Sequence, residues 1–352
     1  MCLIGAGLLA MVPACSGGGG NGGPAGKPRV AIVTNCVDPF WDLCQAGAMK
    51  AGNDFDVDVV FKQPDPGTVD KQMKEVNDVV LTGLQGLAVS VNNPKEQTPK
   101  LKGIVADLPK KNFLTIDNDA PDTGRLAFIG VDNLLAGKEV GRLVKKARPD
   151  GGTLALFIGT TDSDNSKKRV AGVLSELAGE DLLAEVSAGK YRETYGKFKL
   201  HRKEPITDGL AKDKAAANSA DAMAQLQGTP NLVFVGLYAY NPAKILEAAR
   251  AKGMVGTIKI VGFDEDSVTL DGIEKGEIEG SVSQDPYNYG YETVKWLSHV
   301  ARDKDKKDLP QKATAHSIIT RDGGTPVEHD GLTIRYRKAS EYKKLIQDAT
   351  KK

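Results

Sequence analysis

A chain of 352 residues, 40% hydrophobic and 26% charged, has the size for about two domains and enough apolar content for ordinary buried cores. Its 47 Lys and Arg balance 46 Asp and Glu, and a net charge of +1 argues against a nucleic-acid binder. Basic runs such as Lys167-Lys168-Arg169 and Lys351-Lys352 read as solvated surface, and after residue 30 no apolar run approaches the roughly 20 residues that span a bilayer.

The N-terminus differs in kind. "LIGAGLLAMV" (3–12) is uncharged and apolar, and "PACSGGGGNGGPAGKP" follows it. The pattern resembles a lipoprotein signal peptide with Val12-Pro13-Ala14-Cys15 as its lipobox, so Cys15 would carry a lipid and anchor the protein to a membrane. No Lys or Arg precedes Lys27, and Pro13 is unusual in such a box. Residues 1–27 are thus expected to be signal peptide and Gly-rich tether, and Gly-rich chain stays a coil. "GAGLLA" (5–10) mimics a dinucleotide fingerprint, but no strand precedes it. Of the other cysteines, Cys2 would leave with the signal, whereas Cys36 and Cys44 either pair or stay as buried thiols.

From residue 29 short β-branched runs alternate with helical patterns: 29–35, 57–63, 86–92, 113–118 and 126–132, then 153–159, 231–237, 258–264 and 279–285. Near-continuous apolar strands imply burial on both faces, as in parallel sheets. Between them, Val69, Met73, Val76, Val80 and Leu84 recur at helical spacing. Asp38-Pro39, Asp65-Pro66, Asn93-Pro94 and Asn241-Pro242 read as helix starts, a side-chain oxygen capping and proline taking the first position. The expected fold is α/β and doubly wound, with right-handed crossovers. Residues 184–212 read as a surface insertion with one polar strand, and 322–352 as a turn, a polar strand and a basic amphipathic helix over a domain edge.

Ligands of open parallel sheets lie beyond the carboxyl ends of the strands. Those ends here read Thr34-Asn35, Ser90 to Asn93, Asp117-Asn118-Asp119, Asp132-Asn133, Thr160 to Asn165, Asp264-Glu265-Asp266 and Gln284-Asp285. Each alone is most simply a cap or a turn. Together, from both halves of the chain, they predict one polar pocket between two sheets. Carboxylates and amides match the hydroxyls of a sugar, which both donate and accept. Phe40 and Trp41 would then be aromatic walls for its C–H face, or else core residues early in a helix.

At these residues the chain resembles the periplasmic sugar-binding proteins of ATP-driven (ABC-type) importers, of the ribose-binding type, over roughly 28–320. "DPFW" is similar to the family's Asn-Pro-Phe-Phe-like motif, with Asp38 in place of asparagine. "TIDND" matches a strand ending in Asp117, and Asn118 stands where the family has arginine, which points to a sugar or sugar alcohol other than ribose. "GVDNLLAGKEVG" matches the first crossing at Asp132; "KKRVAGV", "IVGFDED" and "SVSQDPYNYG" put Arg169, Asp264 and Gln284 on ligand positions. Tyr238 and Asn241 compete for one further contact, as do Ser90 and Asn92. The resemblance implies two doubly wound lobes, 28–131 plus 285–314 and 132–284 plus 315–352, joined by three crossings near Asp132, Gln284 and residue 314. It also implies hinge closure on a small neutral sugar or polyol and delivery to an ABC permease by a periplasmic or cell-surface monomer.

An enzyme is the first rival. No G-x-S-x-G, G-x-x-x-x-G-K or H-E-x-x-H motif is present, and the four histidines lie away from the strand ends, though Asp117 and Asp264 could act as acid and base. "DSDNS" (162–166) is no calcium loop, since Lys167 occupies the place of the required glycine, so neither metal nor cofactor is expected. The second rival is a sensor of the same fold signalling to a receptor or kinase.

Overall fold

The computed structural model describes residues 26–310, 313–329 and 331–350; the lipobox with Cys2 and Cys15 lies outside them. The first lobe runs β1 (Arg29–Val33), α1 (Pro39–Asp54), β2 (Asp58–Lys62), α2 (Val69–Val80), β3 (Gly86–Val89), α3 (Pro94–Asp107), β4 (Phe113–Ile116) and β5 (Ala127–Ile129). Its strands are all parallel, in the order β2-β1-β3-β4-β5.

The chain then crosses into α4 (Asn133–Ala147), β6 (Gly152–Ile158), α5 (Asp164–Ala178), α6 (Leu183–Ser187), β7 (Thr194–Tyr195), β8 (Phe198–Leu200) and β9 (Ile206–Thr207). It continues through α7 (Lys212–Gln225), β10 (Leu232–Gly236), α8 (Asn241–Ala251), β11 (Lys259–Phe263), α9 (Ser267–Glu274) and β12 (Gly280–Ser283). Within this second sheet β8-β6-β10-β11-β12 are parallel and repeat the order of the first. β8 therefore holds the place that β2 holds, and the polar 184–212 stretch is built into the sheet rather than laid over it.

α10 (Pro286–Ala301) returns to pack on α1, and β13 (Ser317–Thr320), β14 (Val327–His329) and β15 (Leu332–Lys338) then extend the second sheet before α11 (Ala339–Thr350). At the crossings Val131 pairs with Thr314, whose amide donates to Gly130 O at 2.8 Å, and Asp285 turns the third strand of chain with φ of 59°. α11 touches α9 of the second lobe and α1 of the first.

Alternation along each strand fills both faces of each sheet. Val30 and Ile32 enter the core shared with α1, α10, α4 and α5, while Ala31 and Val33 pack toward α2 and α3. Leu154, Leu156 and Ile158 share that first core, and Ala155 and Phe157 face α7 and α8. Two helix crossings are so close that they need glycine. A Cβ on Gly290 would land on the carbonyl oxygen of Cys44, and one on Gly47 on that of Tyr287, both backbone atoms that cannot step aside. Gly137 and Gly172 do the same where α4 meets α5. Gly290→Ala is expected to cost about 1–3 kcal/mol by overpacking, read as a lower urea midpoint; an unchanged midpoint would show that α1 and α10 separate freely.

Asp38 and Asn93 cap α1 and α3 as expected, accepting from Phe40 N at 3.1 Å and Glu96 N at 3.3 Å. The other two Asx-Pro pairs behave otherwise. α2 begins at Val69 with Thr68 as its cap, so Asp65-Pro66 stays in the preceding loop. Asn241 is the first residue of α8 rather than its cap, because its side chain reaches back to Tyr238 N at 3.2 Å.

Candidate functional site

The carboxyl ends of β1, β4, β10, β11 and β12 converge on a cavity of about 410 Å³ between the lobes. Asp38, Phe40, Trp41, Asp117 and Asn118 line it from the first lobe, and Arg169, Tyr238, Asp264 and Gln284 from the second. Phe40 and Trp41 are walls and core together. Both belong to the buried cluster, their rings meet edge-on at 4.9 Å, and Trp41 Nε1 donates to Asn35 Oδ1 at 2.7 Å.

Arg169 organises the second lobe's side. It comes from α5, is 4% exposed, and lies over the Phe263 ring at 4.0 Å. Its guanidinium donates to Asn133 Oδ1 at 2.7 Å, to Leu237 O at 2.9 Å and to Gln284 Oε1 at 3.0 Å. Gln284 in turn donates to Asp264 Oδ1 at 2.9 Å and receives Tyr289 OH at 3.3 Å. Facing it, Asp117 Oδ2 accepts from Asn118 Nδ2 at 3.0 Å and Ser90 Oγ at 3.3 Å.

Asp117 and Asp264 follow β4 and β11, which hold the same place in their sheets, and both have left-handed backbones, φ 60° and 65°. Asp tolerates that region better than most residues. Burial pushes the Asp117 carboxyl up to about 6, against the pull of Arg169, Ser90 and Asn165. Burial likewise raises Asp264, opposed by Arg169 and Gln284 and reinforced by Asp117 and Asp38. Two acids and one arginine thus share a buried site, held ready for groups that can hydrogen-bond to carboxylates.

A raised carboxyl pKa stabilises the fold below the unfolded value, and that gain disappears as pH climbs through the folded value. For Asp117 the window runs from about 4 to about 6. Asp117→Asn is therefore expected to lose on the order of 3 kcal/mol less stability than the parent between pH 4 and pH 7, measured by urea unfolding without ligand. Identical slopes would mean that Asp117 titrates normally.

Four residues expected at the site are not among those lining the cavity. Ser90 sits behind Asp117, to which it donates. Asn92 spends its amide on Asn35 O at 3.2 Å and Gly67 O at 3.0 Å. Asp132 is exposed and caps α4 through Leu134 N and Leu135 N. Asn241 is 1% exposed and donates to Asp208 Oδ2 at 2.9 Å, so of the competing pair only Tyr238 faces the cleft.

Other residues, not assigned a ligand contact from the sequence, also line the cavity. Asn165 spans the lobes, its amide donating to Asp117 O at 3.1 Å. Lys212 reaches across to Asp38 Oδ2 at 3.0 Å, and Gly209 and Leu210 beside it complete the floor. These come from the end of the polar 184–212 stretch, which looked like surface. Cys36 lines the cavity and Cys44 is buried; both are free thiols, and burial followed by the Asp38 and Asp117 charges pushes Cys36 up to about 12. Among the described residues no group of three or more His, Cys, Asp or Glu is placed to hold a metal ion.

A family model described as a periplasmic binding protein domain matches residues 30–305. The D-allose-binding periplasmic protein of Escherichia coli is 23% identical over 309 residues, 84% of this chain and 91% of that protein. The D-ribose/D-allose-binding protein of Pseudomonas aeruginosa is 21% identical over 270 residues, covering 73% of this chain and 77% of its own. Among solved structures, an ABC transporter solute binding protein from Burkholderia graminis in complex with D-arabinose superposes with a TM-score of 0.72 at 23% identity, over 84% of this chain and 96% of that one.

Proposed function

We propose that this chain, which belongs to the periplasmic binding protein family, captures a small neutral sugar or sugar alcohol between its lobes and delivers it to an ABC-type import permease. The observation that carries this reading is the cavity itself. Asp117, Asn118, Asp264 and Gln284 present acceptors and donors at two opposed walls, while Phe40, Trp41 and Tyr238 supply flat apolar faces. That combination suits a ring with hydroxyls on its edge and C–H groups on its faces. The sugars named for the relatives, ribose, allose and arabinose, are of this size. No chemistry is needed: Asp117 and Asp264 are ligand acceptors in this reading, so the chain is a binding protein and not an enzyme.

The lobes divide as 28–131 plus 285–314 and 132–284 plus 315–352, and they close about the three crossings. Asn165 on Asp117 and Lys212 on Asp38 are contacts that such closure would make and break. The protein works outside the cytoplasm as a monomer, anchored by a lipid on Cys15.

The test is a thermal-shift screen of residues 27–352 against pentoses, hexoses, sugar alcohols and amino acids. A ligand at about 100 times its dissociation constant adds roughly 2.7 kcal/mol of stability. A shift with a sugar that survives prolonged incubation is expected. A shift that fades as the sugar is consumed would indicate an enzyme, and silence from every sugar would remove the reading. If a sugar binds but deletion of the chain leaves its uptake intact, the sensor role replaces the import role.

A further inference from the structure

Lys212 stands at the wrong end of its helix. It is the first residue of α7, where the aligned peptide dipoles disfavour a cation, and no side chain caps that end. The loop before it is strained and firmly tied. Gly209 and Leu210 both have a left-handed backbone, φ 66°, which leucine adopts reluctantly. The buried carboxylate of Asp208 holds this turn, accepting from Leu210 N at 2.9 Å, Tyr240 OH at 2.6 Å and Asn241 Nδ2 at 2.9 Å. Strain that the surroundings enforce beside a binding cleft points to a use.

The use lies on the other lobe. Lys212 Nζ is 3.0 Å from Asp38 Oδ2, across the cleft. Val37 and Leu210, beside the two charges, are exposed and also line the cavity, so the pair closes its rim. Asp38 keeps its other oxygen on Phe40 N, as the cap of α1. Each partner is thus fixed to its own lobe, Asp38 by a helix cap and Lys212 by a tied loop. An ion pair made between lobes holds only while they are together.

Resting on the sugar-binding reading, we propose that Lys212 is a positioning residue for ligand retention: its bond to Asp38 latches the lobes over the bound sugar and makes retention depend on ionic strength. A neutral sugar is not steered by charge, so salt reaches its affinity only through charges that the protein itself brings together on closing. The Lys212 side chain is half-exposed, so screening weakens the pair. Affinity falls with the fraction of protein that can close.

The test is stopped-flow release and calorimetry with ribose, allose, arabinose, xylose, glucose, galactose and the alcohols xylitol and sorbitol, in sodium chloride from about 0.02 M to about 0.5 M. For the ligand that binds, the parent's affinity is expected to fall on the order of threefold over that range, through faster release. Lys212→Met should start about threefold weaker and stay flat. Lys212→Arg, which keeps the charge, should keep the salt dependence. Asp38→Asn retains a good helix cap but should abolish the salt dependence, and adding Lys212→Met to it should weaken binding no further. A parent that is flat in salt, a slope that survives Lys212→Met, or additive losses in the double variant would overturn the latch while the sugar reading stands. No binding by any of these sugars or alcohols would overturn both.

Discussion

Asp264→Ala is expected to lose sugar binding by about two orders of magnitude or more while the unliganded fold is as stable as the parent or slightly more so. The carboxylate lines the cleft, with Oδ1 accepting from Gln284 at 2.9 Å. Hydrogen bonds from sugar hydroxyls to a charged oxygen contribute about 1.5–3 kcal/mol each, and each 1.4 kcal/mol is a factor of ten in affinity. The unliganded protein gains nothing comparable from this group. Burial raises its pKa against the pull of Arg169, so the ionised form is held at a cost to the fold. The expected signature is therefore a split: the ligand-induced thermal shift vanishes and the baseline melting temperature does not fall. Calorimetry against the sugar found in the screen measures the first half, and a melt without sugar the second. Retained affinity would remove Asp264 from the site, and a collapsed baseline would make it structural.

The alternation of strands and helices was legible because burial on both faces writes itself into the sequence as unbroken β-branched runs. The runs at 29–35 and 258–264 became β1 and β11 with one or two residues trimmed at the polar end. Those trimmed residues are where the site lies. The strand-end rule found Asp117, Asp264 and Gln284, since a polar side chain directly after a buried strand has nowhere to go but the cleft or a helix cap. The same ambiguity explains Asp132 and Asn241. Asp132 became a cap, and Asn241 turned inward to Asp208, a partner 33 residues away that no local pattern could predict.

What stayed hidden was tertiary. Lys212, Leu210 and Gly209 end a polar stretch whose strands are two or three residues long, too short to show a period. Only the parallel pairing of β8 with β6 reveals that this stretch fills the second position of the sheet and so must deliver its end to the cleft. The left-handed backbone at Asp117 and Asp264 was hidden too, because Asp is compatible with it without requiring it. That conformation recurs at equivalent strands of the two lobes.

Arg169→Met is expected to destabilise the protein by about 3–5 kcal/mol at pH 8, the usual consequence of removing one partner from a buried charged cluster. The loss should shrink at pH 5. Arg169 is the cation that lowers both Asp117 and Asp264. Without it the two carboxylates face each other and the burial that already raises them, so their pKa values climb further and the charged forms become costly. A carboxyl raised in the folded state stabilises below its unfolded pKa and loses that stability as pH rises through the folded one. The cost of the substitution therefore grows from acid toward neutral and beyond. Methionine keeps an unbranched apolar side chain at this position, so lost packing contributes less than lost charge. Urea unfolding of parent and variant at pH 5 and pH 8 separates the two. A penalty equal at both pH values would assign Arg169 to packing and to its bonds with Asn133 and Leu237 O. A penalty confined to high pH would make it the counter-ion that lets one cleft keep two buried acids.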